Sequence, residues 1–241
     1  VILQFGAAGL FFLIGHPADT AAFIDSYLVG CLLIATGALL SAWYLHRHRD
    51  VLRAREAIVS AVLLAFGLLW WLGGGLNEIK LRIAAESHTG AVLLFFTASA
   101  LACSVLARRL HWPLLRNPAL GLLALMLPVA AYQAAARLHP FAQWGYVAWP
   151  LALVSYYWML HRHENEEDAP DSRTTSALHM LTFWLLAALA SWEVAWQIDN
   201  WVQGAGTWPL IAWLVVPALL LLFVCTRGKG VAWPLTKHWS L

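Results

Sequence analysis

Glu193 is the acid set deepest in an apolar stretch of this 241-residue chain. Glu193, Gln197 and Asn200 follow i, i+4, i+7 and so share one face of a helix, while Trp192, Val194 and Trp201 fall on the other faces. The four residues from Glu193 to Gln197 span about 6 Å of helical rise. If the helix ends near Asn200, Glu193 lies below a membrane–water boundary. A charged acid facing lipid there costs on the order of 2.5 kcal/mol or more. Its side chain is therefore expected to face the bundle, either in a cavity open to the outside or as polar glue between helices.

Other polar groups fall at the same side. Asn77, Glu78, Lys80 and Arg82 follow the glycine run Gly73–Gly75, and Glu86, Ser87 and His88 open the next span, with Ser87 a natural N-cap. Gln133 and Arg137 are four residues apart, followed by His139–Pro140, and Arg137 is placed to pair with Glu193 or Glu78. Carboxylates, histidine and arginine around an outward cavity can carry acid–base chemistry on a lipid-linked or saccharide substrate. In that reading Glu193, His88 and His139 are the catalytic candidates. Glu78, Arg137, Gln197 and Asn200 are the substrate-binding ones. The same groups can equally line a translocation path.

No HExxH, GxSxG, phosphate-binding loop or DxD pair accompanies them. Cys31, Cys103 and Cys225 lie in apolar segments without CxxC spacing, which points to small buried side chains rather than a metal site. Two of the ten histidines at matching depth are not evident, so no haem is expected. No cofactor and no metal are expected.

These groups must be positioned by membrane-spanning helices. The chain is 61% hydrophobic and 12% charged, with a mean hydropathy of +0.66. Soluble domains carry about 25% charge, so a soluble globular enzyme, a disordered chain and a nucleic-acid binder are excluded. Windows long enough to cross about 30 Å of hydrocarbon give eight spans, roughly 1–14, 23–45, 57–76, 88–107, 119–136, 144–160, 177–200 and 207–225. Loops after the even-numbered spans hold 12 of the 15 basic residues, leaving Lys80, Arg82 and Arg137 on the other side. The positive-inside rule then puts both ends in the cytoplasm. The outer face carries formal charge −3 and the inner face +5.

Many of the 15 tryptophans flank apolar spans, Trp43, Trp70, Trp71, Trp112, Trp144, Trp201, Trp208 and Trp233, and read as aromatic belts at the two boundaries. Stacking on a sugar is an alternative for some outer rings. Trp-Pro-Leu occurs four times, from Trp112, Trp149, Trp208 and Trp233, with no fixed period. Pro128, Pro150 and Pro217 fall inside spans and are expected to kink them. The acidic stretch 164–173 reads as a solvated loop, and the basic stretch 47–56 as a linker that contacts anionic lipid heads.

Leu68–Ile79 (LLWWLGGGLNEI), the Trp-Pro-Leu copies, His139–Pro140 followed by Trp149–Leu151, and Trp192–Trp196 (WEVAW) resemble the bacterial membrane proteins grouped as domain of unknown function 2339. The resemblance runs over most of the chain. It implies a bacterial inner-membrane, multi-pass setting and members much longer than 241 residues. That agrees with a first span lacking an initiating Met and reads the chain as a piece of a longer protein. It carries no catalytic assignment.

The expected fold is therefore an all-α transmembrane bundle of about eight helices, residues 1–241 forming one bundle. The expected function is a cell-envelope protein that binds or modifies a lipid-linked or saccharide substrate at its outer side. A transporter or flippase with a path past Glu193, and a structural subunit of a membrane complex, are the alternatives. Membrane lipids, the remainder of a longer chain and other membrane subunits are the expected partners, and nucleic acid is not.

Overall fold

The computed structural model describes residues 6, 26–48, 54–164, 172–204 and 206–227. Among them the secondary structure is helical throughout. The α-helices are α1 (Ser26–Arg47), α2 (Ala54–Arg82), α3 (His88–Arg109), the short α4 (Arg116–Leu120), α5 (Leu122–Ala135), α6 (Gly145–Glu164), α7 (Ser172–Trp201) and α8 (Trp208–Arg227). Six segments are long and apolar enough to cross a membrane, α4 and α5 being merged with the preceding turn into one span, Pro113–Ala135. The expected first span, 1–14, lies outside the described residues except for Gly6. The chain divides into two compact units, Val1–Ala119 and Leu120–Leu241.

In the first unit α1 and α2 pair along small residues. Cys31, Ala35, Ala38 and Ala42 are all at most 1% exposed, at spacings that keep them on one helical face. Ser60, Gly67 and Gly74 answer them from α2, seven residues apart. Ser60 Oγ donates to the Ala42 carbonyl at 2.9 Å. A Cβ on Gly67 would stand 3.1 Å from the Ala35 carbonyl oxygen, and one on Gly74 would stand 2.8 Å from Cys31 Cβ. The order Ala42–Ser60, Ala35–Gly67, Cys31–Gly74 makes the pair antiparallel. Lipid tails give helices no hydrophobic reason to associate, so close backbone approach and dispersion must hold them. Small residues permit that approach.

α3 packs on α2 through Trp71, whose indole N–H donates to Ser99 Oγ at 2.9 Å and whose ring stacks on Phe95. Ser87 does stand at the N-cap of α3, but its side chain makes no cap bond. A turn of 3-10 helix, Ala85–Ser87, precedes it instead.

In the second unit α6 is the most deeply buried helix. Ala148, Trp149, Ala152, Tyr156 and Leu160 are at most 1% exposed. Its tyrosines, tryptophans and histidines keep it out of the six most apolar spans, and it buries one face while Val147, Leu151 and Val154 stay exposed on the other. α8 packs on α7 and is otherwise exposed from Leu210 to Phe223, with Ala212 buried. Helix α6 runs on past Pro150 in its second turn, α5 contains Pro128 and α8 contains Pro217. The span that breaks does so at Gly121, between α4 and α5. Hydroxyls within spans, such as Thr97 and Thr182, donate to carbonyls one turn back and so leave no donor for the lipid.

Two expectations are corrected here. Trp70 and Trp112 are buried at 8% exposure or less, so they pack against protein instead of lining a belt. Cys225 is exposed on α8, unlike Cys31 and Cys103, as are most residues of that helix.

Candidate functional site, a carboxylate-oriented histidine

The site is assembled where α5 ends, α6 begins and α7 passes. Helix α5 closes with its last carbonyls capped. The Leu138 N–H donates to the Gln133 carbonyl at 2.9 Å and the Arg137 N–H to the Ala134 carbonyl at 3.1 Å. This pattern needs a left-handed residue between helix and loop, and Arg137 takes it at φ +55°. His139–Pro140 follows, since a proline cannot continue the helix and holds the preceding residue extended. The loop then tightens, with Ala142 N–H donating to His139 O and Gly145 N–H to Ala142 O. A Cβ on Gly145 would sit 1.9 Å from the Pro140 carbonyl oxygen, so only glycine allows α6 to start against this turn.

Glu193 of α7 closes the loop. Its Oε2 accepts from His139 Nδ1–H at 2.8 Å and from the Phe141 backbone N–H at 3.1 Å. Its Oε1 accepts from Gln197 Nε2–H at 2.7 Å. The carboxylate is 7% exposed as a residue, and three donors satisfy it. His139 also stacks on Trp196, ring centroids 3.6 Å apart and planes 11° from parallel. Glu193, Trp196 and Gln197 lie on one face of α7, at i, i+3 and i+4, so one helix supplies the acid, the stacking ring and the amide.

This arrangement has a chemical consequence. A carboxylate on Nδ1–H fixes the tautomer and leaves Nε2 as the lone-pair nitrogen of a neutral imidazole. The His139 side chain keeps 19% of its surface accessible, and Nε2 has no hydrogen-bond partner among the described residues. A histidine so held can take a proton from, or return one to, a hydroxyl brought to it.

Of the seven residues expected to form the site, the fold brings together Glu193, His139 and Gln197. Asn200 donates to the Trp196 carbonyl of its own helix instead. Arg137 does not continue the Gln133 face: its left-handed backbone leaves it exposed, with no ion-pair partner among the described residues. Gln133 turns inward, 1% exposed, and its Oε1 accepts from Trp149 Nε1–H at 3.0 Å. Glu78 and His88 find partners inside the first unit. Glu78 Oε2 pairs with Arg82, while its Oε1 is buried without a partner among the described residues. His88 Nε2 bonds the Ile83 carbonyl at 2.7 Å.

A second acid–histidine pair was not visible in the sequence. Glu164, expected in a solvated loop, is instead the last residue of α6, where it is buried and bonds His179 Nε2 through Oε1. The local signal was misleading, because seven of the next nine residues are charged or polar. Only the antiparallel return of α7 places His179 beside it.

The long apolar helices and the polar clasp between them define an integral membrane protein whose described residues form no secondary structure but helices. The chain belongs to the family described as predicted membrane protein DUF2339, whose match covers residues 4–240. No curated protein and no solved structure matches it.

Proposed function

We propose that this membrane protein binds or modifies a lipid-linked or saccharide substrate at the outer side of a bacterial inner membrane, with His139 as the proton-transfer group and Glu193 orienting it. The observation that carries this reading is the three-donor carboxylate holding His139 by Nδ1, which leaves Nε2 for a substrate hydroxyl. Trp196 supports it, since its ring stacks on the His139 imidazole and so holds the plane of the base. The 12 to 3 division of basic residues favours the outer side for the loop that contains His139.

The test is mass-spectrometric identification of what co-purifies in mild detergent with the wild type, His139→Gln and Glu193→Gln. A glycan- or prenol-linked species should be enriched with the wild type and change by about tenfold in both variants, the worth of a charge-assisted hydrogen bond. Bulk phospholipid alone, equal in all three, overturns the reading.

A transport path is the second reading, and the buried Glu164–His179 pair at the other end of α7 favours it. Between the two pairs the same face of α7 carries Leu186 and Leu189, which interrupts a polar route. Proton uptake by proteoliposomes that is abolished by both Glu193→Gln and Glu164→Gln would select transport over chemistry.

A further inference from the structure

The first unit holds a groove that the site described above does not use. It has a volume of about 500 Å³ and is lined by Leu40, Ser41, Trp43, Tyr44 and Leu45 of α1 and Leu63 of α2. The lining is mostly aliphatic and aromatic; its polar groups are the Tyr44 hydroxyl, the Trp43 indole N–H and Ser41 Oγ, which already donates to the Gly37 carbonyl one turn back. The groove therefore offers aliphatic and aromatic surface and little hydrogen bonding, which suits a hydrocarbon chain.

Its aromatic rim carries charge. The Arg47 guanidinium carbon lies 5.6 Å from the centroid of the Trp43 ring, one helical turn beyond it. His48 sits in the same way on Tyr44, ring centroids 4.3 Å apart, with Nδ1 bonded to the Tyr44 carbonyl at 3.0 Å. Two i, i+4 pairs thus hold basic heads just past two aromatic rings that line the groove. Arg47 is exposed, and its N–H donors have no hydrogen-bond partner among the described residues.

More basic groups share this end. His46 Nε2 approaches the His111 carbonyl at 3.4 Å and its ring stacks on buried Trp112, which ties the end of α1 to the end of α3. Arg108 and Arg109, the last residues of α3, are both exposed there. In sequence, the stretches 46–56 and 108–116 carry seven arginines against two acids, Asp50 and Glu56.

We infer that this groove is a binding site for an anionic phospholipid, its acyl chain along Leu40 and Tyr44 and its phosphate at Arg47. Charge complementarity selects the headgroup, because a zwitterionic lipid brings an ammonium to a rim already strongly basic. Arginine is suited to the phosphate, since its planar fork of donors matches the anion.

Native mass spectrometry of the full chain, released from nanodiscs of equal phosphatidylglycerol and phosphatidylcholine, tests this. Wild type should retain phosphatidylglycerol in preference, with one molecule surviving the highest activation. Arg47→Gln should lower that retention about fivefold, the worth of one basic side chain at an anionic surface. Leu40→Trp, on a side chain 58% exposed and so tolerant of change, should block the groove and lower retention of that last molecule as well. Equal retention of both lipids by the wild type, or unchanged retention in both variants, overturns the inference. Displacement of the lipid by millimolar inorganic phosphate alone would also overturn it, by showing that the rim reads free anion without the chain.

Discussion

Glu193 and His139 stand 54 residues apart in the chain and are joined by an Nδ1–H to Oε2 hydrogen bond of 2.8 Å. The bond fastens the loop between α5 and α6 onto α7, and the same carboxylate takes a backbone donor from Phe141. One side chain thus organises a loop and orients an imidazole. The two roles can be separated by substitution.

Glu193→Gln keeps the size of the side chain but replaces one accepting oxygen with a donor. One of the three present donors is then left facing an N–H₂ group. The expected loss is about 1–3 kcal/mol, the cost of an unsatisfied buried polar group. It should be read as a lowered Tm in detergent. His139→Gln should cost less, since Phe141 and Gln197 still satisfy the carboxylate. A Glu193→Gln protein as stable as wild type would mean that the clasp does not hold the loop.

Gly145→Ala tests the start of α6. The added methyl would stand 1.9 Å from the Pro140 carbonyl oxygen, a backbone atom that cannot rotate away. The turn must shift, at an expected cost of about 1–3 kcal/mol or more. Trypsin cutting after the exposed Arg137 reports the shift directly, and the variant should be cleaved faster than wild type. Equal cleavage would contradict the close turn.

Neighbouring glycines in α2 should respond in opposite senses. Gly73 has nothing within 4 Å of an added Cβ, so Gly73→Ala should stabilise by about 0.5–1 kcal/mol through helix propensity. Gly74→Ala places its methyl 2.8 Å from Cys31 Cβ and should push α1 away, lowering Tm. The pair is best measured together, because the sign difference, and not the size, identifies the face that α1 covers.

The buried Gln133–Trp149 bond suits a double-mutant cycle. Trp149→Phe leaves the Gln133 carbonyl oxygen without its indole donor, and about 1–3 kcal/mol should be lost. Adding Gln133→Leu removes the stranded acceptor and should return part of that loss, giving a coupling of about 0.5–3 kcal/mol. Strictly additive effects would show that the bond contributes nothing.

Single cysteines at Arg109 and Arg137 test the orientation. By the charge division, Arg109→Cys should react with an impermeant maleimide only after the membrane is opened, and Arg137→Cys in intact cells. Labelling of Arg109→Cys from outside would reverse the topology.

Much of the fold was legible in residue order. Long apolar windows separated by basic or glycine-rich breaks marked seven of the described helices with ends at most about six residues off, because crossing hydrocarbon demands an uninterrupted run of apolar residues with every backbone group bonded internally. The depth of Glu193 and the Gln197 register were legible for the same reason, since a helix face is a local property. His139 stands beside Pro140 in the sequence, but nothing in residue order pairs it with Glu193. Arg137 was expected to face Glu193 because a straight helix would carry it there. Its left-handed φ of +55°, chosen by the capping of α5, turned it outward and brought His139 in. The buried Glu164–His179 pair and the Gln133–Trp149 bond were hidden for a similar reason, because each joins side chains from two helices whose approach no local pattern encodes. Residue order determined which segments enter the membrane and which faces are polar. Tertiary packing alone decided which polar groups meet, because a buried donor or acceptor must find its partner wherever the helices bring one within about 3 Å.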